Sequence, residues 1–331
     1  MEKRIDIIVT TISGSILDWK KINNIEPEFR KCYSGPINVH IVDSHAKARE
    51  KTSKAVEEGS RIIISAGGSG TFNSVLEGCY AAGLPKDLRL AFLRKGSADL
   101  LGKVLKIPDQ LSQAVGIISQ SIKEDKIIQA DVIEVEGTGI DDKPWKRHFI
   151  GFGGVGVFGD VPYFSERWYS KYYKGILGTL FGDRGPFIVT VILSLMKHYI
   201  DIILQRKFKF SLVSDDLLIP PQKYSSIIIL NGDLGKDFSL AKGIPLKSGY
   251  FITVTMRDLG LFTSVKQLIH IGKGDIFNYS KKLGTESFKL KNLKIIPDNS
   301  KPYMVNIDGL PVYAKGNIKY RISDTVNLIT G

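Results

Sequence analysis

The chain has 331 residues, 43% of them hydrophobic and 24% charged. This length and balance exclude a disordered chain and allow two globular domains. The only cysteines, Cys32 and Cys79, are too few for a disulfide framework, so we expect a reducing, cytoplasmic environment. Lys and Arg number 46 against 34 Asp and Glu, and the formal charge of +12 favours anionic partners such as nucleotides, nucleic acid or acidic membranes, or else a solvated basic surface. Because no nucleic-acid-binding motif accompanies the charge, we expect no specific nucleic-acid binding.

The sequence gives no sign of a targeting or membrane-spanning segment. The N-terminal residues predict an amphipathic strand and a turn, without the long apolar core of a signal peptide. The most apolar segment, Phe187 to Met196, has about half of the roughly 20 residues that a spanning helix needs, and Lys197 and His198 follow it directly. We therefore expect a cytoplasmic protein with no transmembrane helix.

From Ile5 to about Asp125, apolar strands alternate with helical stretches. The predicted strands are Ile5 to Thr10, Val39 to Val42, Ile62 to Ile64 and Leu90 to Leu93. The predicted helices include about Ala46 to Glu58 and Leu111 to Lys123. Such alternation indicates a parallel α/β sheet with helices on both faces, whose ligands bind beyond the carboxyl ends of the strands.

After Ile127 the pattern changes to short strands of alternating hydrophobicity, which indicates an antiparallel β-sandwich. The predicted strands are Ile128 to Val135, Phe149 to Phe152, Phe208 to Val213, Ile227 to Leu230, Phe251 to Thr255 and Met304 to Ile307. A helical insertion is predicted from about 163 to 206, and a final strand from Tyr320 to Gly331. The predicted domains are therefore 1–126 and 127–331.

The loop after the third strand has the pattern of a phosphate site. The predicted strand is followed by Gly67, Gly68 and Gly70. These glycines give the backbone φ freedom and let its N–H groups approach an anion closely. A helix follows, and the unpaired N–H groups and positive dipole at its start favour phosphate. Thr71 and Asn73 add polar side chains at the same place.

This loop resembles the glycine-rich motif of the diacylglycerol kinase catalytic-domain family, which includes bacterial lipid kinases, sphingosine and ceramide kinases and, more distantly, NAD kinases. The family motif is Gly-Gly-Asp-Gly-Thr followed by Asn-Glu, whereas here Ser69 replaces the aspartate and Ser74 the glutamate. The resemblance covers most of the chain. It implies a phosphofructokinase-like α/β domain that binds nucleotide, a β-sandwich domain for the lipid substrate, and an active site in the cleft between them. It leaves open a return of the C-terminal segment to the first domain.

A second loop, Arg94 to Asp99, resembles the family's Pro-x-Gly-Thr-x-Asn-Asp segment, with Leu100 in place of the last aspartate. Arg94 and Lys95 would neutralise part of a nucleotide's charge, or they are simply solvated. The resemblance implies nucleotide contacts from Thr10, Gly67, Gly68, Ser69, Gly70, Thr71, Asn73, Gly96 and Ser97. Arg94 and Lys95, which replace a proline and an apolar residue of the family segment, are added as nucleotide contacts for their charge.

Two further positions of the first half match family segments. The residues from Thr10 to Gly14 occupy the place of the family's loop after the first strand, although only Ser13 and Gly14 resemble it. His45 belongs to a His-Ala pair that is common in the family at the start of the second helix. We expect His45 to be structural.

In the second half, the glycine-rich segment from Phe149 to Gly159 resembles the strand and turn that lead to the family's active site. As an isolated pattern it also fits a bulge or tight packing. Asn231 and Gly232 are similar to the family's Asn-Gly turn. In the segment from Lys247 to Tyr250, Ser248 replaces an aspartate that the family associates with its metal site.

The best acidic candidate is Asp308, which Gly309 and Leu310 follow. The segment resembles the family's Asp-Gly-Glu turn, although Leu310 replaces the glutamate. The resemblance implies that Asp308 is the catalytic general base toward the lipid hydroxyl. An Asp-Gly pair is also ordinary hairpin-turn chemistry, and the sequence leaves both interpretations open.

The resemblance implies an ATP-dependent lipid kinase that phosphorylates a hydroxyl of diacylglycerol, a sphingoid base or a related lipid, with Mg²⁺ on the nucleotide phosphates. The metal ligands are unknown from the sequence. Because several polar residues of the family are replaced, a second hypothesis is a kinase-fold protein that binds nucleotide or lipid without catalysis. A third is an NAD kinase-like enzyme.

The expected partners are the nucleotide and a lipid substrate at a membrane surface, and a homodimer is left open. The segment from about Trp168 to Phe187, rich in aromatic and basic residues, is the expected membrane-facing surface. Alternatively, its aromatic side chains pack in the core.

Overall fold

The computed structural model describes residues 3–12, 22–94, 100–165, 185–204 and 209–331. The chain forms two compact units, one of Met1–Ala130 with Thr325–Gly331 and one of Asp131–Asp324. The first unit has a parallel α/β sheet and the second has antiparallel strands, which confirms the predicted fold class. The sequence placed the domain boundary after residue 126, just before a strand that runs from the first unit into the second.

The sheet of the first unit has parallel strands in the order β2-β1-β3-β4. The strands are β1 (Ile5–Thr10), β2 (Ile37–Val42), β3 (Ile62–Gly67) and β4 (Arg89–Arg94). Every residue of β1 and β3 is buried, as expected for parallel strands that are covered on both faces. Near the end of the chain, Asn327 and Leu328 pair in parallel with Arg89 and Leu90, so this segment lies beside β4.

Helices cover the sheet of the first unit. They are α1 (Ile25–Cys32), α2 (His45–Glu57), α3 (Ser69–Ala81), α4 (Leu100–Val104) and α5 (Leu111–Lys123). The N-cap of α2 is Ser44, whose hydroxyl accepts the N–H of Lys47 at 3.2 Å. The bounds of α5 are those that the apolar pattern predicts, and the helix buries Val115 and Ile118.

The second unit begins within β5 (Ile127–Thr138), which β6 (Pro144–Phe149) and β7 (Phe152–Gly156) follow. Its helices are α6 (Val157–Ser165), α7 (Gly185–Ile203), α8 (Leu261–Lys273) and the short α9 (Ser280–Leu283). The other strands are β8 (Phe210–Ser214), β9 (Leu217–Gln222), β10 (Tyr224–Leu230), β11 (Phe251–Arg257), β12 (Thr285–Leu290), β13 (Asn292–Pro297), β14 (Tyr303–Ile307) and β15 (Leu310–Ile329). In the described parts of the chain, no helix is both long and apolar enough to span a membrane.

Two antiparallel layers form the sandwich. One has the order β12-β11-β10-β7-β14-β15, and in the other β15 pairs with β13 and β5. The 20-residue β15 belongs to both layers, because Ala314 pairs with β14 whereas Ile318 pairs with β13. Large side chains from both layers fill the core, among them Phe149, Phe251 and Tyr320. The last residues of β15 leave the sandwich and lie beside β4.

The predicted strand from Phe149 to Phe152 is wrong. β6 ends at Phe149 and β7 begins at Phe152. The N–H groups of Ile150 and Gly151 donate to the carboxylate of Asp308 instead of a neighbouring strand, which interrupts the extended ladder. Of the predicted insertion, residues 185–203 form α7, and residues 166–184 and 205–208 lie outside the described part of the chain.

Candidate functional site

In the first unit, three sequence-predicted residues lie at one edge of the parallel sheet. Thr10, Gly67 and Arg94 end β1, β3 and β4. The register pairs Val9 with Ala66 and Gly67 with Arg94, so these strands finish side by side. Ligands of open α/β sheets bind beyond this carboxyl edge.

The glycine loop requires a close approach of its own atoms. Gly68 is the N-cap of α3, with φ of −92° and ψ of −175°, and the helix starts at Ser69. A Cβ added to Gly67 would lie 2.6 Å from the Cβ of Thr71, so no side chain fits there. None of the three predicted loop glycines has a positive φ, so the expected φ freedom is not used. The loop therefore depends on the absence of a side chain at Gly67.

The hydroxyls of Thr10 and Thr71 join β1 to the first turn of α3. Their Oγ1 atoms are 2.7 Å apart, and both residues are fully buried. Both were predicted to contact nucleotide. The structure brings them together, and the hydrogen bond holds the start of α3 against the end of β1.

A second polar contact fixes the starts of α2 and α3 to each other. The Oγ of Ser74 lies 3.0 Å from Nδ1 of His45 and donates to the carbonyl oxygen of Gly70 at 2.9 Å. This contact agrees with the structural role expected for His45. Ser74, which replaces the family's glutamate, is thus used in helix packing, and the neighbouring Asn73 is buried.

Arg94 extends along the loop that follows β4. Its Nη1 donates to the carbonyl oxygen of Ile107 at 3.4 Å, and its stem covers Gly102, where an added Cβ would lie 2.5 Å from the Cγ of Arg94. Its Nε is buried and has no hydrogen-bond partner among the described residues. A buried cationic N–H at this edge fits an anionic ligand. Lys95, Gly96 and Ser97 lie outside the described residues.

The described residues contain no cluster of metal-ligating side chains. Nowhere in the described ranges do three or more His, Cys, Asp or Glu side chains come together as metal ligands. Ser69 and Ser248 stand where the family has carboxylates. Mg²⁺ in nucleotide sites is usually held by one or two carboxylates together with the nucleotide phosphates, and the described residues contain no cluster that would hold the ion without the nucleotide.

In the second unit, Asp308 lies in the turn that joins β14 and β15. Asp308 has φ of +46° and Gly309 has φ of +83°, as in the two-residue hairpin turns that favour Asp-Gly. The residue is buried, and its carboxylate accepts N–H groups from Ile150 at 3.0 Å, Gly151 at 3.1 Å and Phe152 at 2.7 Å. This geometry agrees with the turn interpretation, and a role as general base stays a prediction.

Gly151 is required by the same contact. A Cβ on Gly151 would lie 2.6 Å from Oδ1 of Asp308. The predicted glycine-rich segment therefore serves as the backbone cradle of the Asp308 carboxylate.

Asp131, which no sequence pattern singled out, orders the loop that contains Ser248 and Gly249. Its Oδ2 accepts the N–H groups of Ser248 at 2.8 Å and Gly249 at 2.6 Å, and its carbonyl oxygen accepts Nδ2 of Asn231 at 2.6 Å. The N–H of Asn231 in turn donates to the carbonyl oxygen of Gly151 at 3.1 Å. Three segments that resemble the family thus belong to one hydrogen-bonded network. The signal in the sequence was an acid within an otherwise apolar run of β5.

Known proteins resemble both the first half and the whole chain. Residues 4–135 match the family model of the diacylglycerol kinase catalytic domain. A crystal structure of a diacylglycerol kinase from Bacillus anthracis str. Sterne superposes with a TM-score of 0.64 and 15% identity, covering 100% of this chain and 97% of that one. Yeast NADH kinase in complex with NADH is more distant, with a TM-score of 0.50, 8% identity and coverage of 100% and 84%.

No curated protein matches the sequence significantly. At these identities the structural matches establish the fold alone, and the similarity in sequence to the diacylglycerol kinase family is confined to residues 4–135. This match includes the glycine loop and the carboxyl edge described above. Residues 4–135 therefore match the diacylglycerol kinase catalytic domain, and the whole chain shares its fold with a bacterial diacylglycerol kinase.

Proposed function

We propose that the protein is an ATP-dependent kinase that phosphorylates a hydroxyl of diacylglycerol, a sphingoid base or a related lipid. The observation on which this depends is the loop from Gly67 to Ser69, which lies at the carboxyl edge of the sheet within the segment that matches the family. Backbone N–H groups at the start of α3 are suited to the phosphates of a nucleotide.

The cationic contribution comes from Arg94, whose buried Nε matches the negative charge of a phosphate. By resemblance, Gly96 and Ser97 belong to the same nucleotide site, and Lys95 is placed there for its positive charge. Because the described residues contain no cluster of metal ligands, we infer that Mg²⁺ arrives with the nucleotide phosphates.

On the lipid side, we infer from the resemblance that Asp308 accepts the proton of the attacking hydroxyl. Its hydrogen bonds to the backbone from Ile150 to Phe152 would hold the carboxylate in one orientation. The same bonds make Asp308 a folding residue. A test of its catalytic role must therefore measure stability and turnover separately.

A second candidate is a kinase-fold protein that binds nucleotide or lipid without catalysis. The observation that favours it is the replacement of two carboxylates of the family motif by serines. Ser69 lies at the start of α3, and the hydroxyl of Ser74 donates to the carbonyl oxygen of Gly70 within that helix. An NAD kinase-like activity is a third candidate, for which the distant yeast enzyme gives only a shared fold.

The deciding experiment is transfer of labelled phosphate from ATP, with Mg²⁺ present, to a panel of diacylglycerols, sphingoid bases and NAD. Phosphorylation of a lipid is the expected result. Labelled NAD would support the third candidate. Absence of any product, with ATP binding retained, would favour the non-catalytic protein, and Ser69→Asp should then raise activity.

Calorimetry of ATP binding locates the nucleotide. Gly68→Val should abolish binding, because the added side chain would occupy the approach to the start of α3. The variant should still fold, since Gly68 has an extended conformation that Val adopts freely. The matched control is Gly116→Val in α5, where an added Cβ meets no atom within 4 Å. Equal binding by both variants would remove the loop from the nucleotide site.

A further inference from the structure

Helix α7 buries three polar residues together with Leu195 and exposes a stripe of apolar residues. Thr190, Ser194 and His198, at spacings of four residues, are all buried. The outward stripe is almost purely apolar and consists of Ile188, Ile192, Met196, Ile200 and Ile203, which are 48% to 78% exposed. A surface helix of a globular protein normally shows the opposite arrangement.

Helix α8 has a similar arrangement. Ser264 and Gln267 are buried, and Gln267 donates to the carbonyl oxygens of Arg257 and Leu283. The outward residues are Leu261, Phe262, Val265 and Ile269, of which Phe262 is 84% exposed.

The inner sides of the two helices meet at Asp258. Its carboxylate contacts His198 at 3.2 Å and accepts the hydroxyl of Tyr199 at 3.1 Å. The hydroxyl of Tyr199 also lies 2.9 Å from that of Ser264 on α8. His198 and Tyr199 of α7 and Ser264 of α8 face this cluster, whereas the apolar stripes of the two helices are exposed. We call the two stripes together the docking face.

Exposed basic residues border α8 and the segment that follows it. Residues 257–282 contain the cations Arg257, Lys266, Lys273, Lys281 and Lys282, all exposed. The two acids of this segment are both occupied, Asp258 by His198 and Asp275 by His270. Five cations against two anions leave this edge of the docking face positive.

We propose that the docking face inserts into an anionic lipid bilayer surface. Apolar side chains on one face with lysines at its border are the features of helices that lie in the interface of a membrane, where Lys attracts anionic headgroups. Self-association through this face would bring its positive borders together, which disfavours a second copy as the occupant. The inference deepens the proposed function and rests on it for the reason to bind lipid, since a lipid kinase must take its substrate from a bilayer. The surface expected from the sequence, around residues 168–187, lies almost wholly outside the described residues.

The test is co-sedimentation of the full chain with vesicles of phosphatidylcholine containing anionic phosphatidylglycerol. Phe262→Glu should weaken binding at least about tenfold, because it places a charge where an apolar group would enter the bilayer. Lys266→Glu should weaken binding to anionic vesicles and leave the weak binding to pure phosphatidylcholine unchanged. The matched control is Leu218→Glu, which is 78% exposed on β9, a strand that pairs with β8 and belongs to neither helix, and which should bind like the parent.

Parent-like vesicle binding by Phe262→Glu would overturn the proposal. So would a parent that forms a dimer, dispersed by Phe262→Glu, without binding vesicles. Kinase activity is measured separately on a water-soluble short-chain diacylglycerol without vesicles. Retained activity in Phe262→Glu together with lost vesicle binding supports the docking face. A parent that binds vesicles but phosphorylates no lipid would leave the docking face supported and refute the kinase proposal alone.

Discussion

Asp308 and Phe152 hold each other by two hydrogen bonds. The N–H of Phe152 donates to the Asp308 carboxylate at 2.7 Å, and the N–H of Asp308 donates to the carbonyl oxygen of Phe152 at 2.8 Å. This reciprocal pair fixes the turn between β14 and β15 to the start of β7. The acid for which the resemblance implies catalysis is therefore also part of the framework of the second unit.

Asp308→Asn should lower the free energy of unfolding by about 2 kcal/mol, because an amide cannot accept all the N–H groups that the carboxylate accepts. Urea unfolding measures this loss. If Asp308 is also the general base, turnover measured well below the unfolding midpoint falls at least about a hundredfold.

The control for that variant is Asp142→Asn. Asp142 also has a positive φ, of 60°, but it is exposed and its partner is the surface residue Lys315. We expect a change of at most about 1 kcal/mol. A parent-like stability of Asp308→Asn would contradict the structural role, and parent-like turnover would remove the catalytic one.

Gly67→Ala should destabilise the first unit by about 2 kcal/mol and weaken ATP binding. The new methyl group would overlap Thr71 and push the start of α3 away from β1, breaking the contact between Thr10 and Thr71. Urea unfolding and calorimetry report the two effects. Gly116→Ala, with open space and a helical backbone, should instead be neutral or slightly stabilising.

Acid should loosen the contact between α7 and α8. The hydrogen bond from His198 lowers the pKa of Asp258 to about 2, although burial opposes this. A carboxyl with a depressed folded-state pKa stabilises the fold above its unfolded pKa of about 3.9, and the contribution disappears as the pH falls from there toward about 2. The ionised Asp258 thus contributes about 2 kcal/mol to the free energy of unfolding.

Urea unfolding at pH 6 and at pH 3 measures that dependence. Asp258→Asn should be less stable than the parent at pH 6 and closer to it at pH 3. The remaining acid sensitivity of the variant is expected from Asp6. Burial disfavours its charge, but hydrogen bonds from His40 and Arg4 outweigh this and hold its pKa well below the usual range. A constant difference between parent and variant at both pH values would contradict the assignment.

Asp131→Ala should free the loop that contains Ser248 and Gly249, since both N–H groups lose their acceptor. Amide hydrogen exchange at these two residues should accelerate at least about tenfold. Asp233→Ala is the matched control, because Asp233 accepts the N–H groups of Gly235 and Gly243 in the same way. Its effect should be confined to those glycines.

The parallel half could be predicted well, because its buried strands are continuous apolar runs between polar turns. The predicted bounds of β1 and α5 agree with the structure. In the second half, β9 and β12 were missed, since β9 contains two prolines and β12 exposes half of its residues. Helix α8 was missed for another reason. Its apolar residues face outward, so its pattern gives no information about a core.

The candidate site likewise has a part that could be predicted from the sequence and a part that could not. The glycine loop and the Asp-Gly turn are local patterns, so the sequence located both. The pairing of Thr10 with Thr71 joins residues far apart in the chain, and the network around Asp131 joins three distant segments. Such contacts depend on the fold and leave no local pattern.

The path of β15 affects the order in which the protein folds. Its first residues belong to the sandwich, and only its last residues reach β4. A ribosome makes nearly all of the second unit before it makes the segment that flanks β4. The strand segment that pairs with β4 thus lies more than two hundred residues downstream of it, as the pairing of Arg89 with Asn327 shows. Non-local closure of this kind slows folding. Synthesis therefore leaves one side of β4 uncovered for most of the time that the nascent chain is growing.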